Sequence, residues 1–292
     1  MIYDIRHVTT YSYESPVSVA RCSLRLEPQS GSGQQLISHS VEIRPRPAER
    51  TARRDFFGTL TESILIETAH RNLRIDSRSR VSVSRHAPGR TAPSPSWESV
   101  RDIAFEATSL GPSSPVGYVF ASALVPVLAP LTAYASASFP SGGGIVAGAA
   151  DLMRRIRSDF RYDSKATVIS TPLTEVFEKR HGVCQDFAHV MIAGLRGLGL
   201  PAAYVSGYLR TIPPPGQPRL QGADATHAWV SVWCGAELGW IGFDPTNDLL
   251  VENDHIILAV GRDFSDVSPV DGIIVGSRKQ KLNVSVDVLL VE

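Results

Sequence analysis

The stretch that decides the fold is residues 181–200, HGVCQDFAHVMIAGLRGLGL. Ala188, Met191, Ile192, Leu195 and Leu198 recur at the spacing of one helical face, and the run ends at Gly199-Leu200-Pro201. The spacing predicts a helix over 184–200 with Cys184 at its start. The positive end of a helix dipole favours a thiolate over a thiol, so a cysteine there is a candidate nucleophile. The other two cysteines read as small hydrophobes: Cys22 lies in an alternating run, and Cys234 alternates with Val230 and Val232. Three cysteines in 292 residues make no disulfide framework.

Beyond this helix the apolar period changes to two, at 202–209, 225–234, 240–244 and 282–291. Helices followed by strands predict an α+β unit with an antiparallel sheet. His227, in THAWVSVW (226–233), shares strand parity with Trp229, Ser231 and Trp233; Asp244 ends the next strand in WIGFDPTN (240–247). A lone strand histidine usually packs, and an aspartate before proline usually forms a turn. Pairing gives the two a joint reading. A two-residue loop at 235–236 sets Asp244 opposite His227, whereas a four-residue loop sets it opposite Trp229. In either register the carboxylate comes within about two residues of the imidazole. There it can hold one tautomer while the other ring nitrogen takes a proton from a thiol.

Working outward, residues 17–26, 39–44, 60–68 and 73–83 alternate, as does the start of the chain, and Pro and Gly punctuate them. An antiparallel β-sandwich-like domain is expected over 1–90. The Pro-, Gly- and Ser-rich run 86–97 reads as a linker, and 91–292 as the second unit. Charge divides likewise: 14 basic and 9 acidic residues over 1–90, 15 and 20 over the rest, a neutral total. That neutrality excludes a strongly cationic nucleic-acid or membrane binder. Helices are predicted over 98–108, 144–160 and 171–180. Residues 116–137 are apolar, and no charge occurs between Glu106 and Asp151; Pro126 and Pro130 favour kinked, buried helices over a membrane span. The N-terminus MIYDIRHVTTYSYE has no apolar signal core, so a cytoplasmic protein is expected.

Together, HGVCQDFAHVMIAGLRGLGLPAAYVSGYL (181–209), THAWVSVW and WIGFDPTN resemble the core of the bacterial transglutaminase-like superfamily. Residues 160–186, FRYDSKATVISTPLTEVFEKRHGVCQD, resemble that family's approach to its cysteine. Residues 3–29, YDIRHVTTYSYESPVSVARCSLRLEPQ, are similar to the β-domain preceding the core in one bacterial branch. The resemblance implies a papain-like α+β core at about 145–262 with Cys184 as nucleophile, His227 as base and Asp244 as orienter. It implies a thioester acyl-enzyme acting on a peptide or protein substrate, with no cofactor. A peptidase or amidase is the expected activity; a protein-glutamine transamidase and a non-catalytic binding module of the same fold are the alternatives. Papain itself is a poorer match, because only 43 residues separate Cys184 from His227.

Other residues carry weaker signals. The Cys184 amide is a natural oxyanion donor, with Gln185 or Tyr162 as candidates for a second. Asp186 reads as a structural hydrogen-bonding residue. Trp229 and Trp233 are candidates to wall the cleft. His181, Cys184, Asp186 and His189 could be written as a metal motif, but His189 lies about 140° around the helix from Cys184, so no metal is expected. Gly142–Gly144 precede a helix without a phosphate-loop lysine and read as a turn.

Overall fold

The computed structural model describes residues 1–168, 170–211 and 225–291. Six strands open the chain: β1 (Ile2–Val17), β2 (Val19–Leu24), β3 (Gln34–Arg44), β4 (Glu49–Arg54), β5 (Leu60–Ile66) and β6 (His70–Val83). Their alternation buries one set of side chains between two sheets, where Val17, Ala20, Leu24, Ile64, Ile66, Leu73 and Ile75 form the core. The antiparallel sandwich expected at the N-terminus is therefore present.

The middle of the chain is helical: α1 (Trp97–Glu106), α2 (Ala129–Ser136) and α3 (Ile145–Asp159). Pro130 sits in the first turn of α2, and the uncharged 116–137 stretch yields only this eight-residue helix and a 3-10 turn. Among the described residues no helix is long and apolar enough to cross a membrane. Next come the two-residue strand β7 (Arg161–Tyr162), α4 (Leu173–Lys179), the two-residue strand β8 (His181–Gly182) and α5 (Cys184–Gly197). Helix α5 ends at Gly197 rather than at 200, because Gly199 turns the chain with φ +77°.

The core sheet follows, with β9 (Ala202–Leu209), β10 (Ala225–Trp233), β11 (Trp240–Asp244), β12 (Leu249–Leu250) and β13 (His255–Gly261) in the order β12-β11-β10-β9-β13, all antiparallel. Ala202, Tyr204, Ala228, Val230, Val232 and Phe243 share a buried cluster with Phe187, Ala188, Met191, Ile192 and Leu195 of α5. The opposite face carries Val205, Trp229 and Val251. This is an α+β arrangement. In β10 and β11, Val230 pairs with Phe243 and Trp233 with Trp240. Of the two registers considered, this is the four-residue loop, and Asp244 falls opposite Trp229.

The chain closes with α6 (Phe264–Val267), β14 (Val270–Val275) and β15 (Gln280–Leu290). Here one expectation needs correction, because a second unit continuous to 292 is not what forms. β15 pairs with β1 from Tyr3↔Leu290 to Tyr13↔Gln280, and β14 pairs with β2. The sandwich sheets are β15-β1-β6-β3 and β14-β2-β5-β4. Without these strands β1 and β2 would each present an open edge, and covering both removes those unpaired backbone groups. Tyr3, Ile5, Val81, Val83, Val286 and Val288 of the sandwich join Tyr208, Ile256 and Leu258 of the core sheet in one buried cluster. The 86–97 segment has little regular structure of its own, yet Arg90 ion-pairs with Asp248 at 2.8 Å.

Candidate active site

Parallel pairing of β7 with β8 brings Arg161 beside His181 and Tyr162 beside Gly182, and delivers the chain into α5. Val183 is the extended N-cap residue (φ −109°, ψ −178°). Its side chain cannot cap, so Asp186 reaches back instead: its Oδ2 accepts the Val183 N–H at 2.8 Å and the Thr167 hydroxyl at 2.6 Å. Burial pushes the Asp186 carboxyl up, against the pull of those two donors. Gly182 permits this fold-back, since a Cβ there would stand 2.6 Å from Asp186 Oδ2. Asp186 thus does what was expected of it, and Cys184 is left as the first helical residue, half-buried. Cys22 and Cys234 are buried, and burial pushes their thiols up to about 11 and about 12.

His227 enters from β10, and its Nε2 lies 2.8 Å from Oδ2 of Asp244, which is completely buried at the end of β11. The Cys184 side chain lies close enough to act on the ring electrostatically. With Nε2 engaged by Asp244, Nδ1 is the nitrogen left for the sulfur. Of the three residues named from sequence, His227 and Asp244 are joined by a hydrogen bond, and Cys184 is near enough to the ring to influence its charge.

Burial alone would strip the proton from His227; the hydrogen bond to Asp244 and the charges of Asp244 and Cys184 outweigh it and hold the ring up at about 10. For Asp244 burial likewise opposes charge, but its hydrogen bonds with His227, His255 and Asn247 hold the carboxyl far below the usual carboxylate range. Its Oδ1 accepts the backbone N–H groups of Thr246 and Asn247 at 3.0 and 3.2 Å. Its Oδ2 accepts Asn247 Nδ2 at 2.8 Å and faces His255 Nε2 at 3.2 Å.

Asn247 and His255 were not singled out from sequence. Asn247 left a signal, because a polar residue three positions after an aspartate can close a turn onto its carboxylate. His255 left none, since it lies on β13, three strands from β11 in the sheet order. Trp229 joins the group from below: its indole lies over Gly207, where a Cβ would be 2.4 Å from Cη2. The indole is 5.2 Å from the His255 ring and 6.2 Å from the His227 ring. Trp233 is not at the site; it packs in the cluster around α5.

Tyr162 is half exposed, and burial together with the nearby Cys184 raises its hydroxyl pKa. Gln185 lines a cavity of about 300 Å³ with Leu124, Pro126, Thr171, Asp186 and His189. His189 is a core residue: burial lowers it to about 4, and it accepts the Phe264 N–H at 3.3 Å. Among the described residues, the His/Cys/Asp/Glu group with ligand atoms within 4.8 Å is His227, Asp244 and His255, all already hydrogen-bonded to one another through Asp244.

Comparison with known proteins agrees with this architecture. Residues 3–82 match the bacterial transglutaminase-like N-terminal region, and residues 141–245 match the transglutaminase-like superfamily. An uncharacterized protein of Mycobacterium tuberculosis is 40% identical over 296 residues, covering 98% of this chain and 92% of the relative. One from Mycobacterium leprae is 31% identical over 97% of this chain and 96% of its own length. A protein-glutamine gamma-glutamyltransferase of Pseudomonas aeruginosa is 34% identical over 109 residues, 35% of this chain and 16% of that protein. A crystal structure from Cytophaga hutchinsonii, described provisionally as a cysteine protease, superposes with a TM-score of 0.78 at 20% identity, covering all of this chain and 92% of that one. With residues 3–82 and 141–245 matching the two family regions and the fold in agreement, the chain belongs to the transglutaminase-like superfamily, in the bacterial branch that carries this N-terminal β-region.

Proposed function

We propose that the protein is a thiol enzyme that breaks amide bonds through a thioester on Cys184, with His227 as general base and acid and Asp244 as the group that orients it. The observation that carries this reading is the His227 ring, hydrogen-bonded to the buried Asp244 carboxylate and raised in pKa by both Asp244 and the neighbouring Cys184, which stands at a helix start. His227 Nδ1 already carries the proton given up by the thiol, as the raised pKa of the ring requires, and the sulfur attacks the carbonyl carbon. The oxyanion that forms lies beside the Cys184 amide, which has no intrahelical acceptor at the first helical position. When the intermediate collapses, the C–N bond breaks and the departing amine takes the proton from His227. Water, deprotonated by the same ring, then releases the acid and regenerates the thiol.

We favour hydrolysis of peptide amides, because among the described residues none at the site marks a dedicated amine-binding position. Transamidation is the second reading, favoured by the local similarity to the gamma-glutamyltransferase. Incubating the protein with a glutamine-containing peptide and a primary amine separates the two. The expected result is released acid, as cleaved peptide or as glutamate peptide with ammonia; amine incorporation exceeding released acid would overturn the preference. Iodoacetamide tests the thiol reading itself. Cys184 should alkylate faster than free cysteine near neutral pH, and a rate no faster than free cysteine would sink it.

A further inference from the structure

We propose that His255 is a positioning residue for Asp244, and that through it the N-terminal β-sandwich braces the catalytic group; the proposal rests on the thiol-enzyme reading above. Asp244 is buried and ionised, so its oxygens only accept hydrogen bonds. The His255 nitrogen 3.2 Å from Oδ2 must therefore carry the hydrogen, which fixes its tautomer. With Asn247 Nδ2 and His227 Nε2 on the same oxygen, Oδ2 is held by three donors from three separate parts of the chain. A carboxylate held in this way cannot rotate away from the imidazole it serves. The ring itself is packed edge-on against Trp229 at 5.2 Å.

What holds His255 comes from the first domain. Arg85, just past β6, donates through Nη1 to the carbonyls of His255 (2.8 Å) and Glu252 (2.9 Å), and through Nε to the Ser32 carbonyl. Gln34 on β3 pairs with Ile257 as a strand would, its Oε1 accepting the Ile257 N–H and its Nε2 donating to the Ile257 carbonyl, both at 2.8 Å. The Tyr3 hydroxyl donates to Asp254 at 2.9 Å. The start of β13 is thus fastened to the sandwich at residues 252, 254, 255 and 257, and His255 is the side chain that carries the fastening into the site. The titratable and charged groups facing it are Asp244 from β11, His227 from β10 and Arg85 from the segment after β6. The superfamily match ends at residue 245, so β13 lies beyond it.

The test is the pH profile of Cys184 alkylation by iodoacetamide in the full chain, with Cys184→Ser as the blank. Gln places an N–H donor where His Nε2 was, whereas Asn is too short. His255→Gln should keep the wild-type profile. His255→Asn should lower the rate at pH 6 by about tenfold, through a lower limb moved up by about one pH unit. Arg85→Ala should move it in the same direction. Superimposable profiles for His255→Asn and wild type would overturn the proposal. So would equal losses in the Gln and Asn variants with an unmoved midpoint, the mark of a merely structural residue. Should neither variant fold, imidazole 15N spectra of the wild-type chain decide: His255 is expected as the Nε2–H tautomer at pH 7, and the Nδ1–H tautomer would refute it. Slow alkylation of the wild type would instead count against the thiol-enzyme reading, while the tautomer would still report on the contact to Asp244.

Discussion

A carboxylate with no exposed surface needs every lone pair occupied, and Asp244 meets that demand with two backbone amides, one carboxamide and two imidazoles. Asp244→Asn replaces one acceptor oxygen by a donor facing other donors. The rate should fall by between about 10² and 10⁴-fold as His227 takes the wrong tautomer, with a folding loss of about 1–3 kcal/mol. Steady-state kinetics and urea unfolding separate the two effects, and near-full activity would remove Asp244 from the proposed role. The raised pKa of His227 also has a consequence for stability. The folded ring titrates near 10 and the unfolded ring near 6.5, so its stabilisation is complete below about 6.5 and is lost as pH rises through about 10. The difference in urea midpoint between wild type and His227→Gln should therefore be larger at pH 6 than at pH 10.5. An equal difference at both would show that the ring is not held charged. Cys184 was legible at this scale because a helix start is a local property, and His255 was not because its partner is eleven residues and three strands away.

Short elements with specific spacing set up the site. Helix α5 was legible from its apolar period, and it lies buried between the core sheet and α2. Its start depends on Asp186 folding back over Gly182, where an added Cβ would also lie 2.7 Å from the Asp186 Cβ, an atom with no freedom to retreat. Gly182→Ala should therefore cost about 1–3 kcal/mol and slow Cys184 alkylation, because the cap and the sulfur move together. Wild-type thermal stability and labelling in this variant would show that the fold-back is not needed. The register of β10 on β11 was open from sequence, since alternation fixes which face a residue takes but not the loop length. The hydrogen bonds Cys234 N–H to Gly239 O and Gly239 N–H to Gly235 O close the longer loop, and with it the distance from Asp244 to His227.

For the whole molecule, the sandwich and the core share one apolar cluster and the strand-like hydrogen bonds of Gln34 with Ile257, so they should unfold together. Val286→Ala with Val288→Ala removes roughly four buried methyl groups, about 3 kcal/mol at ~0.8 each, from the cluster joining the two. Urea unfolding followed by Trp fluorescence, which reports the core, should register that loss even though both substitutions lie on β15. An unchanged core transition would mean that the units are independent. The sequence by itself determined the helix that presents Cys184, the strands that carry His227 and Asp244, the β-rich start of the chain and the superfamily. Each of these is written in local periodicity or in contiguous motifs. Only the tertiary structure decided that the last two strands return to the first sheets, that the β10–β11 pair takes the longer loop, and that His255 joins Asp244. An alternating strand specifies its faces but not its partner, and a hydrogen bond between distant side chains exists only once packing has brought their backbones together.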